Sequence, residues 1–203
     1  MTLYFASSNE HKKEEMMRLL DGVTVRLPKE DGIIFNPDEN GNSFIENALI
    51  KANALYDKVK APVLADDSGL AVDALGGRPG IHTSRYGDTP ERVLPQSEKN
   101  AMLLREMEGV SDRSARFVCA LVLMLSPDRV YIIEETAEGF IAESGTGEHG
   151  FGYDPVFIMG NTGKSAAALN PEEKDMLSHR GKAVRKMNLL IKDIIKENSN
   201  EKK

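Results

Sequence analysis

Apolar and polar positions divide the chain into short apolar runs of strand length and longer stretches with helical spacing. Residues 3–6 form the first such run, and Ser7-Ser8-Asn9 supplies a turn and a helix cap. Met16, Met17, Leu19 and Leu20 then recur at helical intervals until Asp21-Gly22 stops the helix. A second short strand fits 23–27, and residues 28–42, rich in Pro, Gly, Asp and Asn, read as loop. Ser43 and Glu46 make a capping box that opens a helix ending near residue 59. Phe44, Ala48, Ala52, Leu55 and Val59 share one face of it, at about 100° per residue.

The apolar strand Val63-Leu64-Ala65 runs straight into Asp66-Asp67-Ser68-Gly69. Residues 71–81 look like loop, with Gly76-Gly77 and Pro79-Gly80 as turn signals, and a helix is expected over 90–107. The run 117–125 is the strongest buried strand, and Ser126-Pro127-Asp128-Arg129 turns it back into 130–133 as a hairpin. Strand continues over 136–142, followed by a glycine-rich loop at 145–152. A last helix over 181–197 places Val184, Met187, Ile191, Ile194 and Ile195 at helical spacing. Strands and helices in mixed order predict an α/β fold with a mixed sheet. Without repeats or a long biased linker, residues 1–197 are expected to form one domain, with 198–203 as a polar tail.

Charge narrows the function classes. A formal net charge of −6 weighs against binding a nucleic-acid backbone, whereas a few converging cations could still hold a small phosphorylated ligand. The single cysteine, Cys119, has no disulfide partner and points to a reducing compartment. No basic segment precedes an apolar one at the N-terminus, and no apolar run approaches the roughly 18 residues of a membrane span. A cytoplasmic protein without membrane or nucleic-acid partners is expected.

Asp66-Asp67-Ser68-Gly69, taken alone, reads first as a turn, because all four residues favour turns. If extended, the two acids would point to opposite sides, one into a pocket and its neighbour into a supporting position. Lys51 lies at the margin of an apolar helix face, where it could either snorkel to water or meet a polyphosphate in a cleft. Lys12 in a helix first turn is unfavourable for the helix, so an anion nearby would account for it. The glycines at 145, 147, 150 and 152 either form a flexible hairpin loop or let backbone approach a ligand, with Phe151 and Tyr153 available for stacking. Lys174, His179 and Arg180 are either surface charge or donors for phosphate and a purine oxygen. The segment Gly160-Asn161-Thr162-Gly163-Lys164-Ser165 lacks the spacing of a P-loop, since Ile158 stands where its first glycine belongs.

These segments together resemble the inosine/xanthosine triphosphate pyrophosphatase family, collinear from about Leu3 to Ile194. The resemblance rests on Ser-x-Asn-x-x-Lys at 7–12 with Glu15, Phe-Ile-Glu-Asn-Ala-x-x-Lys-Ala at 44–52, and Ala-Asp-Asp-Ser-Gly-Leu at 65–70, continuing to Ile81. Ser84-Arg85-Tyr86, Gly-Phe-Gly-Tyr-Asp-Pro at 150–155, Lys174 and Ser178-His179-Arg180-Gly181 complete it. It implies a two-lobed single domain around a long curved mixed sheet, with the active site in a central cleft, and a homodimer. It further implies hydrolysis of ITP, dITP, XTP and dXTP to monophosphate and pyrophosphate with Mg2+.

By position the resemblance makes Asp67 the general base, with Asp66 and Lys51 in the catalytic set, and Glu39 with Asp67 the metal ligands. Ser7, Ser8, Asn9, Lys12, Lys51 and Ser68 would bind the triphosphate, Phe151, Gly152, Tyr153 and Asp154 the sugar and base, and Lys174, His179 and Arg180 the 6-oxopurine and nearby phosphate. Ala168 stands where relatives carry Glu. A Maf-like pyrophosphatase of other base preference and a non-catalytic nucleotide-binding regulator are the alternative readings.

Overall fold

The computed structural model describes residues 1–200, except for the side chains at positions 161 and 198–200. Six strands form one sheet in the order β2-β1-β3-β4-β5-β6. They are β1 (Thr2–Ala6), β2 (Thr24–Arg26), β3 (Val63–Val72), β4 (Ser114–Ser126), β5 (Arg129–Ile141) and β6 (Phe157–Met159). β1 runs parallel to both β2 and β3, whereas β5 and β6 are antiparallel, so the sheet is mixed. The helices are α1 (Glu10–Leu19), α2 (Phe44–Val59), α3 (Gln96–Glu106), α4 (Pro171–Leu177) and α5 (His179–Asn200). This is the expected α/β fold, a six-stranded mixed sheet flanked by helices.

The chain forms two compact units. The first comprises Met1–Asp67, Cys119–Glu135 and Arg180–Lys203, and the second Ser68–Val118 and Thr136–His179. β3, β4 and β5 each pass from one unit into the other along the chain.

Strand alternation organises the first unit. Leu64, Cys119, Leu121 and Leu123 pack with Leu3, Phe5, Met16 of α1, and Ala183, Val184, Met187 and Ile191 of α5. The intervening positions Val63, Ala65, Ala120, Val122 and Met124 pack with Ala48, Ala52 and Leu55 of α2. One sheet face is thus covered by α1 and α5 and the other by α2, as the period of two requires. The expected apolar face of α2 is the face that is buried. Ser43 caps the helix by accepting from the Glu46 amide at 3.1 Å.

The second unit encloses its own core. Leu70 and Val72 of β3, Ala115 and Phe117 of β4, and Ala137 and Ile141 of β5 pack with Leu103 and Met107 at the end of α3, and with Tyr153, Val156 and Phe157.

Three local expectations change. Residues 66–69 are not a turn but the middle of β3, which continues to Val72. The strand lies between β1 and β4, and Leu70 and Val72 are fully buried, so pairing and burial override the turn preference of Asp-Asp-Ser-Gly. The helix expected from 90 begins only at Gln96, because Pro95 restricts the residue before it and the Leu94 amide is taken by Asp88 at 2.8 Å. α5 starts two residues early and runs to Asn200; positions 201–203 of the expected tail lie outside the described residues. α4 and β6 are absent from the sequence reading because seven and three residues are too few to display a period.

Candidate active site

Alternation along β3 determines where its two acids go. Asp66 has the parity of Leu64 and faces α1 and α5, while Asp67 has the parity of Val63 and Ala65 and faces α2. Asp66 is 1% exposed, and its Oδ1 accepts from Lys12 Nζ at 2.6 Å. Its Oδ2 accepts from Arg180 Nε at 2.9 Å and from the Cys119 thiol at 3.4 Å. Arg180 Nη1 in turn donates to Glu15 at 2.5 Å. The anion that accounts for Lys12 in the first turn of α1 is therefore the protein's own Asp66.

Asp67 has a different environment. Its Oδ1 accepts from Lys51 Nζ at 2.7 Å, and the same ammonium reaches Glu39 Oε2 at 3.3 Å. Lys51 does not snorkel: it is buried between two carboxylates. The second oxygen of Asp67 is enclosed and has no hydrogen-bond partner among the described residues. A buried carboxylate oxygen without a donor is costly unless something occupies it.

The two acids titrate in opposite directions. Burial alone would push the Asp66 carboxyl up, but the Arg180 and Lys12 charges outweigh it and hold it well below the usual carboxylate range. At Asp67 burial wins over the attraction of Lys51, and the carboxyl is pushed up from its ordinary value. Burial disfavours the Lys51 ammonium, yet Asp67 and Glu39 more than compensate and raise it. Asp66 is the carboxylate held ionised by its cations, and Asp67 is the one better suited to receive a proton.

The donors fit a divalent cation. Glu39 and Asp67 are brought together by the Lys51 ammonium that both accept from, and the bare second oxygen of Asp67 is a hard ligand in a buried site. On the α2 face the Glu39 and Asp67 carboxylates both bind the one Lys51 ammonium, an acid-rich set of the kind that suits a cation. Among the described residues no three His, Cys, Asp or Glu side chains form a complete cage. Two carboxylates with the remaining positions open suit Mg2+, which keeps waters and takes phosphate oxygens, better than zinc.

Ser7, Ser8 and Asn9 form the turn between β1 and α1. The Asn9 side chain accepts from the Lys12 amide at 3.1 Å, and Ser7 Oγ accepts from the Asn9 amide at 3.2 Å. A cavity of ≈ 220 Å³ opens here, lined by Ser7, Ser8, Asn9, Glu10, Lys13 and Lys29 together with Leu27, Pro28, Ile33 and Phe35.

The second unit holds a separate constellation. Asp154 is buried, and its Oδ2 accepts from the Phe151 amide at 2.8 Å and from Lys174 Nζ at 2.7 Å. That ammonium lies 4.9 Å from the centre of the Phe151 ring, a cation–π contact. A Cβ at Gly150 would stand 2.1 Å from Asp154 Oδ2, so the carboxylate can reach the loop only because residue 150 is glycine. The loop is anchored, not a flexible hairpin: Thr146 and His149 amides donate to Pro155 and Ala167 carbonyls, both at 2.9 Å. Tyr153 is buried with a hydroxyl lacking a partner among the described residues, and His179 stacks on Phe117 at 4.9 Å. Ala168, where the resemblance leads one to expect Glu, is exposed.

The expected site residues thus fall into two groups. Lys12, Glu39, Lys51, Asp66, Asp67 and Arg180 come together in the first unit, and Phe151, Gly152, Tyr153, Asp154, Lys174 and His179 belong to the second. Arg180 follows His179 in the chain but binds carboxylates of the first unit. Ser68 begins the second unit, directly after Asp67. Glu15 was visible in the sequence only as part of a motif; its three-residue spacing from Lys12 was the available signal that both share one side of α1.

The chain matches the Ham1 family over residues 3–189 and belongs to that family. It is 51% identical to a dITP/XTP pyrophosphatase of Treponema denticola, over 95% of this chain and 99% of that protein. It is 39% identical to a dITP/XTP pyrophosphatase of Bacillus subtilis, over 92% and 94% of the two chains. Among solved structures, a HAM1 protein from Coxiella burnetii is similar with a TM-score of 0.87 and 35% identity, over 95% of this chain and 99% of that one.

Proposed function

We propose that this chain hydrolyses deaminated purine nucleoside triphosphates (ITP, dITP, XTP and dXTP) to monophosphate and pyrophosphate, clearing them from the nucleotide pool. It is a nucleotide hydrolase by family, and the acid-anhydride chemistry follows from the products. The observation that carries the proposal is the buried Asp67 carboxylate, with one oxygen on Lys51 and the other bare, beside Glu39 on the same ammonium. The names of its relatives supply the substrate class.

In this proposal Asp67 takes a proton from the water that attacks the α-phosphorus, a task helped by a carboxyl raised above its ordinary value. Asp66, locked by Lys12 and Arg180, orients the strand and Lys12. Lys12 and Lys51 stabilise the negative charge of the departing pyrophosphate. Glu39 and Asp67 would hold Mg2+, which when bound with the triphosphate neutralises phosphoryl charge. Ser7, Ser8 and Asn9 offer a turn at the start of α1 and Ser68 a hydroxyl for phosphate oxygens.

Phe151, Gly152, Tyr153 and Asp154 take the sugar and base, with Lys174 and His179 as donors to the 6-oxo group of the purine. Arg180 already spends Nε and Nη1 on Asp66 and Glu15, so any contact it makes with nucleotide comes from donors beyond those two bonds. Selectivity over ATP follows from donors that meet an oxygen and reject an amino group at C6. We further propose a single domain over residues 1–197, since three strands run through both units, and a cytoplasmic homodimer. No described helix is long and apolar enough to cross a membrane.

Pyrophosphate release with Mg2+ across ITP, XTP, dITP, GTP and ATP tests the proposal. Preference for the deaminated purines supports it; ATP hydrolysed as fast as ITP would refute the base assignment, and no hydrolysis at all the whole reading.

A further inference from the structure

Glu39 lies in a segment with little regular structure, between a short 3-10 turn at Pro28–Asp31 and the start of α2. A metal ligand on such a segment needs something to fix it. Two successive backbone amides just beyond Glu39 are held by the first turn of α2. The Gly41 amide donates to Asn47 Oδ1 at 2.9 Å, and the Asn42 amide donates to Glu46 Oε2 at 2.6 Å. Gly41 is pressed against the helix: a Cβ there would come within 2.7 Å of Glu46 Cβ, 2.8 Å of Asn47 Oδ1 and 3.0 Å of the Asn47 amide.

Asn47 is 0% exposed, one of the buried residues of α2 with Ala48, Lys51, Ala52 and Leu55. Its Nδ2 is enclosed with no partner among the described residues, so burying this amide carries a desolvation cost, and its Oδ1 is what binds the Gly41 amide. One turn further along the same helix Lys51 holds the Glu39 carboxylate itself and Asp67. Helix α2 therefore grips this segment twice, by its backbone at 41–42 and by the ligand side chain at 39.

We infer that Asn47 and Gly41 are positioning residues that place Glu39 for metal binding, acting through the loop backbone and touching neither metal nor nucleotide. Residues that orient a ligand in this way typically contribute about 10–100-fold in metal affinity. The inference rests on the metal role proposed for Glu39 and Asp67.

Gly41→Ala and Asn47→Ala test it from the two sides of the contact, the first adding a methyl on the loop and leaving the helix interior intact. Mn2+ binding followed by electron paramagnetic resonance, in the presence of a non-hydrolysable α,β-methylene analogue of ITP, reads metal affinity without turnover. Both variants should bind Mn2+ about 10–100-fold more weakly at temperatures well below their Tm. Asn53→Ala, on an exposed position of the same helix, should match wild type. Wild-type affinity in both variants, with or without a lower Tm, overturns the inference and leaves the metal role of Glu39 standing. Absence of Mn2+ binding by wild-type protein overturns the metal role and the inference with it.

Discussion

Asp66 and Asp67 are neighbours in β3, yet the first is held by Lys12 and Arg180 on one face of the sheet and the second by Lys51 on the other. The division is a consequence of strand geometry, because adjacent side chains leave a strand in opposite directions. It separates two jobs that one carboxylate could not do together. The clamped acid is kept ionised and immobile, whereas the other retains a bare oxygen and a raised carboxyl.

Replacing Asp66 by Asn should destabilise the protein by about 3–5 kcal/mol at neutral pH, since Arg180 then shares only Glu15 and the Lys12 ammonium loses the Asp66 charge, leaving a buried positive charge uncompensated. The pH dependence has a definite sign. Asp66 is depressed in the folded state, so its contribution is fully present above the unfolded value of about 3.9 and is lost as pH falls toward the folded value. The difference in stability between wild type and Asp66→Asn should therefore shrink below about pH 4, as followed by urea unfolding at a series of pH values. A difference constant down to pH 2 would mean that Asp66 is not the ionised member of the cluster.

The Asp154 carboxylate joins the Phe151 backbone to Lys174. Asp154→Ala removes charge-assisted bonds worth about 1.5–3 kcal/mol and should raise KM for ITP roughly 10–100-fold, with kcat changed much less. Steady-state kinetics with ITP distinguish this from a fall in kcat at unchanged KM, which would place Asp154 in the chemistry instead.

Attack by water on the α-phosphorus has an isotopic signature. Hydrolysis of ITP in 18O-labelled water should place the label in the monophosphate and leave pyrophosphate unlabelled, as read by mass spectrometry. Label in the pyrophosphate would move the attack to the β-phosphorus and away from the assigned geometry.

Much of this molecule is legible in its sequence for physical reasons that vary by element. The helix at 44–59 announces itself twice, by the Ser43 cap and by an apolar face that spans four turns. Lys51 at the margin of that face left two readings open, and only the carboxylates that come from β3 and from the loop at 39 show that it is buried and does not snorkel to water. Residues 66–69 read as a turn because local preference cannot register that both edges of a strand will be paired. The link from Arg180 to Asp66 spans 114 positions, and no periodicity encodes a contact of that range. The roles of Glu39, Lys174 and His179 came from resemblance, and the geometry around them was not foreseeable from spacing.

The most direct test is the rate of pyrophosphate release from ITP with Mg2+ by wild type and by Asp67→Asn. Loss of a general base costs about 10²–10⁴-fold, so the variant should fall by at least that range while circular dichroism and Tm show an intact fold. A variant that keeps near-normal kcat would remove Asp67 from the reaction, and with it the assignment of the β3 carboxylate as the centre of the chemistry.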